Sequence, residues 1–510
     1  MQRTRKLAEA LERVKAIADQ NGANIVQSIQ ISRQDRTLLI RTKWLQEITK
    51  GWYLFTRSDL APGDSAAWYA SFWDFLKIYL HNRYQKNYCL SADISLSLQI
   101  GETLIPRQVI VIVPHGGTIL HLPFTTSILI YSDPENIPDE KIEFHGLQIM
   151  SLPYAICKVT PTFFSHQSET IEIALRTIRS PSDLSKILLK YHFMRAAERI
   201  LGAYQFFGMP SEVRAIQNDL SSAGEIIKPE NPFLKKNSIK NTEKFRSPYA
   251  ARIKILWKKY RNTIIDIFPD PVGLIKNQNE YLDKVNEMYV YDAYNSLSIE
   301  GYHVTKELIE KVKNKNWNPD SNIMDATQKD VLAARGYYEC FQVVKKTLIK
   351  ILEHNSAAKW IKEDLSIWYQ NLFAPCVRAD IISATDLLGY RNDRVYIRNS
   401  RHVPPPKDAV IDSMEALFEC LDEEEHAAIR AVLGHYFFVY IHPYMDGNGR
   451  IARFLLNAMF ASGGYPWTVV RLSHRKEYIN SLERTHTENN IDRFAKFILD
   501  EMKHSAKLFD

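Results

Sequence analysis

The run His442-Pro443-Tyr444-Met445-Asp446-Gly447-Asn448-Gly449-Arg450-Ile451-Ala452-Arg453 gathers a base, a carboxylate, glycines and arginines into one short stretch. Read chemically, it is a phosphate site with a base beside it. Gly447 and Gly449 permit unusual backbone angles, so successive N–H groups, that of Asn448 among them, can point into one concavity and cradle an anion. A helix beginning there turns its positive end toward the same anion. Arg450 and Arg453 share one helical face and can grip successive phosphates. Asp446 is a hard oxygen ligand suited to Mg²⁺. His442, with an unperturbed pKa near 6.5, is mostly neutral at pH 7 and can accept a hydroxyl proton. Together these parts describe attack by a hydroxyl on a nucleotide phosphate, driven by positioning and charge neutralisation. No GxxxxGK[ST] run occurs, which excludes a P-loop.

The elements that must hold this loop are helical. One helix ends at Ile441 and another resumes with FLLNAMF; from about residue 280 onward amphipathic stretches such as NEYLDKVNEMYVYDAYNSLSIEG and AAKWIKEDLSIWYQNLF dominate. HPYMDGNGRIAR is similar to the signature of the Fic family, His-x-Phe-x-Asp/Glu-Gly-Asn-Gly-Arg-x-x-Arg, with Tyr444 in place of Phe. The resemblance extends over about residues 280–505. It implies a mainly α core, a helical bundle with a β-hairpin flap, and a protein adenylyltransferase. Such an enzyme takes ATP as substrate, with Mg²⁺ at Asp446, and a Ser, Thr or Tyr hydroxyl of a target protein, or of the chain itself, as acceptor. The matching flap is GYRNDRVYIRNSRHVPPP, in which Arg394, Val395, Tyr396 and Ile397 would form the strand that docks the target.

Upstream stands Ser296-Leu297-Ser298-Ile299-Glu300-Gly301. Ser296 and Glu300 lie one turn apart on a helical face, and Gly301 can end the helix. The plain reading is a capped helix end with an exposed acid. The spacing also resembles the family's inhibitory motif, Ser/Thr-x-x-x-Glu-Gly/Asn, in the subgroup that carries it before the core. That resemblance implies that Glu300 pairs with Arg453 and takes the group that should hold the γ-phosphate. Some relatives use the same glutamate in AMP removal, so the direction of the reaction stays open, as does the donor, UTP or GTP being the other choices. His435, on the apolar helix GHYFFVYIH, reads as a packed residue, and Asn457 is left outside the site.

The rest of the chain is less specific. With 510 residues, about three domains are expected; 45% hydrophobic and 24% charged residues exclude a disordered tail protein or a polybasic chromatin binder. The net charge of +6 is mild, but residues 1–60 carry eleven Lys/Arg against six Asp/Glu. These residues predict a winged helix-turn-helix-like segment, with Arg33, Arg36 and Arg41 on or beside its second helix as candidate DNA contacts. Residues 61–220 read as an α+β domain, 221–278 as a basic linker and 279–510 as the catalytic domain with its N-terminal inhibitory helix. In layout, and in phrases such as KGWYLF and YCLSADISLSLQ, the first two resemble antitoxin-like regulators of abortive-infection systems. The rival function is therefore a DNA-binding regulator with a self-limited catalytic half. A homo-oligomer is a candidate assembly. Five scattered cysteines without a CxxC pair suggest reduced thiols in a cytoplasm. The uncharged run 108–132 is broken by Pro114, Gly116, Gly117 and Pro123, so it reads as short strands around a turn and not a membrane span.

Overall fold

Apolar residues at helical spacing recur along most of the chain, and the computed structural model is mainly helical, with small sheets toward the N-terminus. It describes residues 2–56, 64–139, 141–233, 245, 247–273, 275, 277–314, 329–354 and 356–509. Two units are formed: Met1–Pro248 with Tyr396–Val403, and Tyr249–Val395 with Pro404–Asp510.

In the first unit, α1 (Gln2–Asn21) buries Ala10, Val14 and Ala18 with Val26 of β1 (Ile25–Gln27) and Leu39 of α2 (Arg33–Arg41). Ser32 caps α2, its hydroxyl accepting the Asp35 N–H at 3.1 Å. The hairpin β2 (Leu45–Thr49) and β3 (Trp52–Phe55) completes an antiparallel sheet of order β1-β3-β2. Next, α3 (Ala66–Tyr84) packs Trp68, Phe72 and Phe75 into one core with Val109, Val111, Ile128 and Ile130. Those belong to a second sheet of β4 (Cys89–Leu90), β5 (Gln108–Val113), β6 (Thr118–His121) and β7 (Ser127–Ser132), ordered β4-β5-β7-β6, with β5 and β7 parallel. The uncharged run 108–132 is thus three strands. A short helix α4 (Ala92–Gln99), the pair β8 (Lys141–Phe144) and β9 (Leu147–Met150), and helices α5 (Leu152–Lys158), α6 (Pro161–His166), α7 (Ser168–Thr177), α8 (Pro181–Lys190), α9 (Met194–Phe206) and α10 (Pro210–Ser222) follow.

Tyr396–Val403 folds with this unit although it lies far along the chain. Ile105 N–H donates to Arg401 O at 2.9 Å, and Val403 N–H to Thr103 O at 2.7 Å. His402 is buried, with Nδ1 3.0 Å from Thr103 Oγ1, and the Arg401 guanidinium donates to Ile105 O at 2.6 Å.

The second unit comprises α11 (Pro248–Ile267), α12 (Gln278–Ile299), α13 (Lys306–Lys313), α14 (Lys329–His354), α15 (Ala357–Arg378), α16 (Val410–Glu423), α17 (Ala427–Ile441), α18 (Asn448–Ala461), α19 (Arg475–Glu488) and α20 (Asp492–Phe509). Residues 248–267, expected within a linker, are therefore a helix. Its Ile253, Leu256, Trp257, Tyr260 and Ile264 enter the main core of this unit, so apolar periodicity outweighs the basic residues between them. The expected β-hairpin flap is a second correction. Arg394–Ile397 joins no ladder, and the one bridge near it pairs His402 with Leu104. Asn399 at φ 58° turns the chain between Ile397 and Ser400, and the run Pro404-Pro405-Pro406 has no N–H groups with which to extend a strand. Among the described residues, no helix is long and apolar enough to cross a membrane. All five cysteines are free thiols.

Candidate active site

The site is the turn between α17 and α18. Helix α17 is mostly apolar and, apart from Arg430 and Val439, buried. It ends at His442, which takes the left-handed conformation at φ 52° before Pro443, a conformation disfavoured for a residue with a Cβ. Three contacts hold it there. The His442 N–H donates to Phe438 O at 2.9 Å, and the Arg391 guanidinium donates through Nε to His442 O at 2.8 Å. His442 Nδ1 lies 3.3 Å from Val439 O. A carbonyl can only accept, so Nδ1 carries the proton and Nε2 keeps its lone pair for an incoming hydroxyl. Burial pushes the imidazole pKa down to about 4, aided by the Arg391 charge and opposed by Val439 O, Glu300 and Asp446. At neutral pH the ring is an acceptor.

The loop beyond is fixed from inside. The Tyr444 ring is buried and stacks on Tyr369, centroids 3.7 Å apart and planes 7° apart. Asn448 spends both ends of its amide on this residue: Oδ1 accepts the Tyr444 N–H at 3.0 Å and Nδ2 donates to Tyr444 O at 2.7 Å. Its side chain is a loop clamp, and its backbone N–H lies in the first turn of α18. Gly447 adopts φ 82°, and a Cβ there would come within 2.8 Å of the Phe373 ring. A Cβ on Gly449 would lie 2.3 Å from Glu300 Oε1. The Glu300 carboxylate thus rests on the start of α18, an anion at a helix N-terminus.

Glu300 also meets the second arginine. Arg453 is buried, donating from Nε to Ser296 Oγ at 2.8 Å, and from Nη2 to Ser296 O at 3.0 Å and to Glu300 Oε1 at 2.6 Å. Burial opposes the Arg453 charge, but the Glu300 carboxylate more than restores it, and the net pKa direction is up. Gly301, at φ 89°, ends α12 and lets the Tyr302 N–H return to Leu297 O at 3.2 Å. Arg450 is 1% exposed, its guanidinium between the rings of Tyr302 and Phe373, each centroid 5.1 Å away. Asp446 is exposed; its Oδ1 accepts the Gly447 N–H at 2.6 Å and its Oδ2 lies 3.4 Å from Arg450 Nη2. Among the described residues, no cluster of three or more His, Cys, Asp or Glu is set up to hold a metal. One exposed carboxylate fits Mg²⁺ nonetheless, because that ion usually takes one or two carboxylates and fills its sphere with phosphate oxygens and water.

The structure therefore brings His442, Asp446, Gly447, Asn448, Gly449, Arg450, Arg453, Ser296, Glu300 and Gly301 together. Arg394–Ile397 lies outside this turn, in a segment without regular secondary structure. Sequence reasoning missed Arg391, Tyr302 and Phe373; the neighbouring Gly301 and the aromatic-rich segment of α15 were the available signals. His435 is a packed residue, Nδ1 3.0 Å from Ala452 O and Nε2 2.8 Å from the Tyr478 hydroxyl. Asn457 is spent on Arg453 O and on both backbone groups of Thr468.

Residues 367–460 match the Fic/DOC family. A Protein adenylyltransferase Fic from Nematostella vectensis is 29% identical over 219 residues, 42% of this chain and 47% of that protein. One from Drosophila virilis is 26% identical over 245 residues, 47% of each. Among solved structures, Fic-1 from C. elegans is 16% identical with a TM-score of 0.37, covering 67% of this chain and 90% of that one. The chain spans about half the length of the curated relatives it matches. The loop from His442 to Arg453, with α17 before it and nearly all of α18 after it, lies within the residues that match this family.

Proposed function

We propose that this chain is a protein adenylyltransferase that moves AMP from ATP to a Ser, Thr or Tyr hydroxyl of a protein, itself included, under restraint by Glu300. The observation that carries the reading is the Glu300 carboxylate, 2.6 Å from Arg453 and against Gly449, standing where a phosphate would be gripped. The N–H groups of Asn448 and Gly449, with Arg450 and Arg453, bind the phosphates, while Gly447, whose N–H is held by Asp446 Oδ1, shapes the loop around them. His442 Nε2 takes the acceptor's proton as its oxygen bonds to the α-phosphorus and the bond to the β-phosphate oxygen breaks, releasing pyrophosphate. Asp446 would hold Mg²⁺, which supplies charge neutralisation on the phosphates when bound. With Glu300 on Arg453, the γ-phosphate loses its partner and the α-phosphorus is not presented to His442.

The test is AMP transfer from radiolabelled ATP, with mass spectrometry to identify the modified residue. Glu300→Gly raises transfer by at least about tenfold, the equivalent of ~1.4 kcal/mol, and His442→Ala in that background abolishes it. A flat response to Glu300→Gly rejects the restraint.

For residues 1–60 we infer a second role, DNA contact by a winged-helix-like segment. Arg33 and Arg41 on α2 are exposed, while the one acid of that helix, Asp35, is tied to Arg13 at 2.7 Å. Five free thiols suit a reducing compartment such as the cytoplasm.

A further inference from the structure

Arg450 poses a physical problem. It is 1% exposed, and its Nε and Nη2 make no hydrogen bond within the protein, the nearest acid oxygen being Asp446 Oδ2 at 3.4 Å from Nη2. A buried guanidinium with idle donors costs free energy unless something else stabilises the charge. The rings of Tyr302 and Phe373, one in the segment just beyond the end of α12 and one on α15, stand 5.1 Å from it. Aromatic faces attract the cation without using its N–H groups. An aspartate in the same place would hold Arg450 by consuming the donors; two rings leave Nε and Nη2 without a partner.

Tyr302 is itself fixed independently of the Glu300 carboxylate. Its N–H returns to Leu297 O at 3.2 Å, and the next residue, His303, donates its N–H to Asp330 Oδ1 at 3.1 Å. The exposed Lys329 ammonium lies 5.3 Å from the same ring.

We infer that Tyr302 is a positioning residue for Arg450, holding it ready for a phosphate whether or not Glu300 is engaged, so that release of the restraint is confined to the Glu300 side chain and leaves the turn behind it in place. The inference rests on the transferase reading for its assay and on geometry for its substance.

The experiment uses the full chain carrying Glu300→Gly, with Tyr302→Leu and Tyr302→Phe added singly. KM for ATP and kcat are read from AMP transfer, and Mg·ATP affinity from calorimetry. Leu fills the space without a π face, so KM and Kd rise about tenfold while kcat changes less than about twofold; Phe restores both to within about twofold of the parent. Unchanged KM and Kd in Tyr302→Leu overturn the inference, as does a Phe variant as weak as Leu. Faster transfer by Tyr302→Leu with Glu300 intact also overturns it, since the ring would then belong to the restraint. Should Tyr302→Leu fail to fold by circular dichroism, Phe373→Leu carries the same expectation from the other face. If the parent transfers nothing but binds Mg·ATP, the transferase reading falls and calorimetry still decides the role of Tyr302; a parent that binds no nucleotide overturns both.

Discussion

His442 combines two requirements that pull against each other. A base must be neutral to accept a proton, yet the nearby Glu300 and Asp446 carboxylates favour the charged ring. Burial wins, taking the pKa down to about 4. The sign for activity follows: the neutral form predominates above that value, so transfer by the Glu300→Gly chain holds down to about pH 5 and falls only in stronger acid. Removing Glu300 removes a contact that raises the pKa, which moves the fall still lower. A pH–rate profile of that variant checks this, and a midpoint near 6.5 contradicts it. The grouping of these residues was legible in the sequence because they lie in one loop, where the order of residues is also their order in space. Arg391, which donates to His442 O at 2.8 Å, was not legible. It comes from a distant segment, and one arginine in a polar run carries no periodicity to betray its burial.

The turn from α17 to α18 works because two of its residues adopt the left-handed conformation, His442 at φ 52° and Gly447 at φ 82°. The second position also has no room, the Phe373 ring and Leu372 standing 2.8 and 3.0 Å from where a Cβ would be. Gly447→Ala therefore costs about 1–2 kcal/mol and lowers the melting temperature by about 2–6 °C, measured by differential scanning calorimetry. A change below one degree would show that the turn tolerates a side chain. Helices were generally readable from their apolar spacing. Helix α11 was hidden by its lysines and arginines, although Ile253, Leu256, Trp257, Tyr260 and Ile264 keep the period. The segment 394–397 failed in the opposite way, since the family resemblance implied a docking strand there and the segment joins no β-ladder.

At the scale of the whole chain, the N-terminal charge and the C-terminal site suggest two activities in one molecule. If α2 touches DNA, a mobility shift with the full chain weakens as salt rises, and replacing both Arg33 and Arg41 by Ala lowers the salt slope by about two. No shift at low salt would leave residues 1–60 without a nucleic-acid partner. How the halves divide could not be read from composition, because the division does not follow the chain. Tyr396–Val403 completes the first unit, Val403 and Arg401 bonding to Thr103 and Ile105. During synthesis the first unit must therefore wait, lacking its last segment until the ribosome has passed residue 403, when much of the second unit has also emerged. Nor can the halves be traded between proteins as cassettes cut at residue 248, for each cut leaves one piece short of a segment and the other with a segment whose partners are gone.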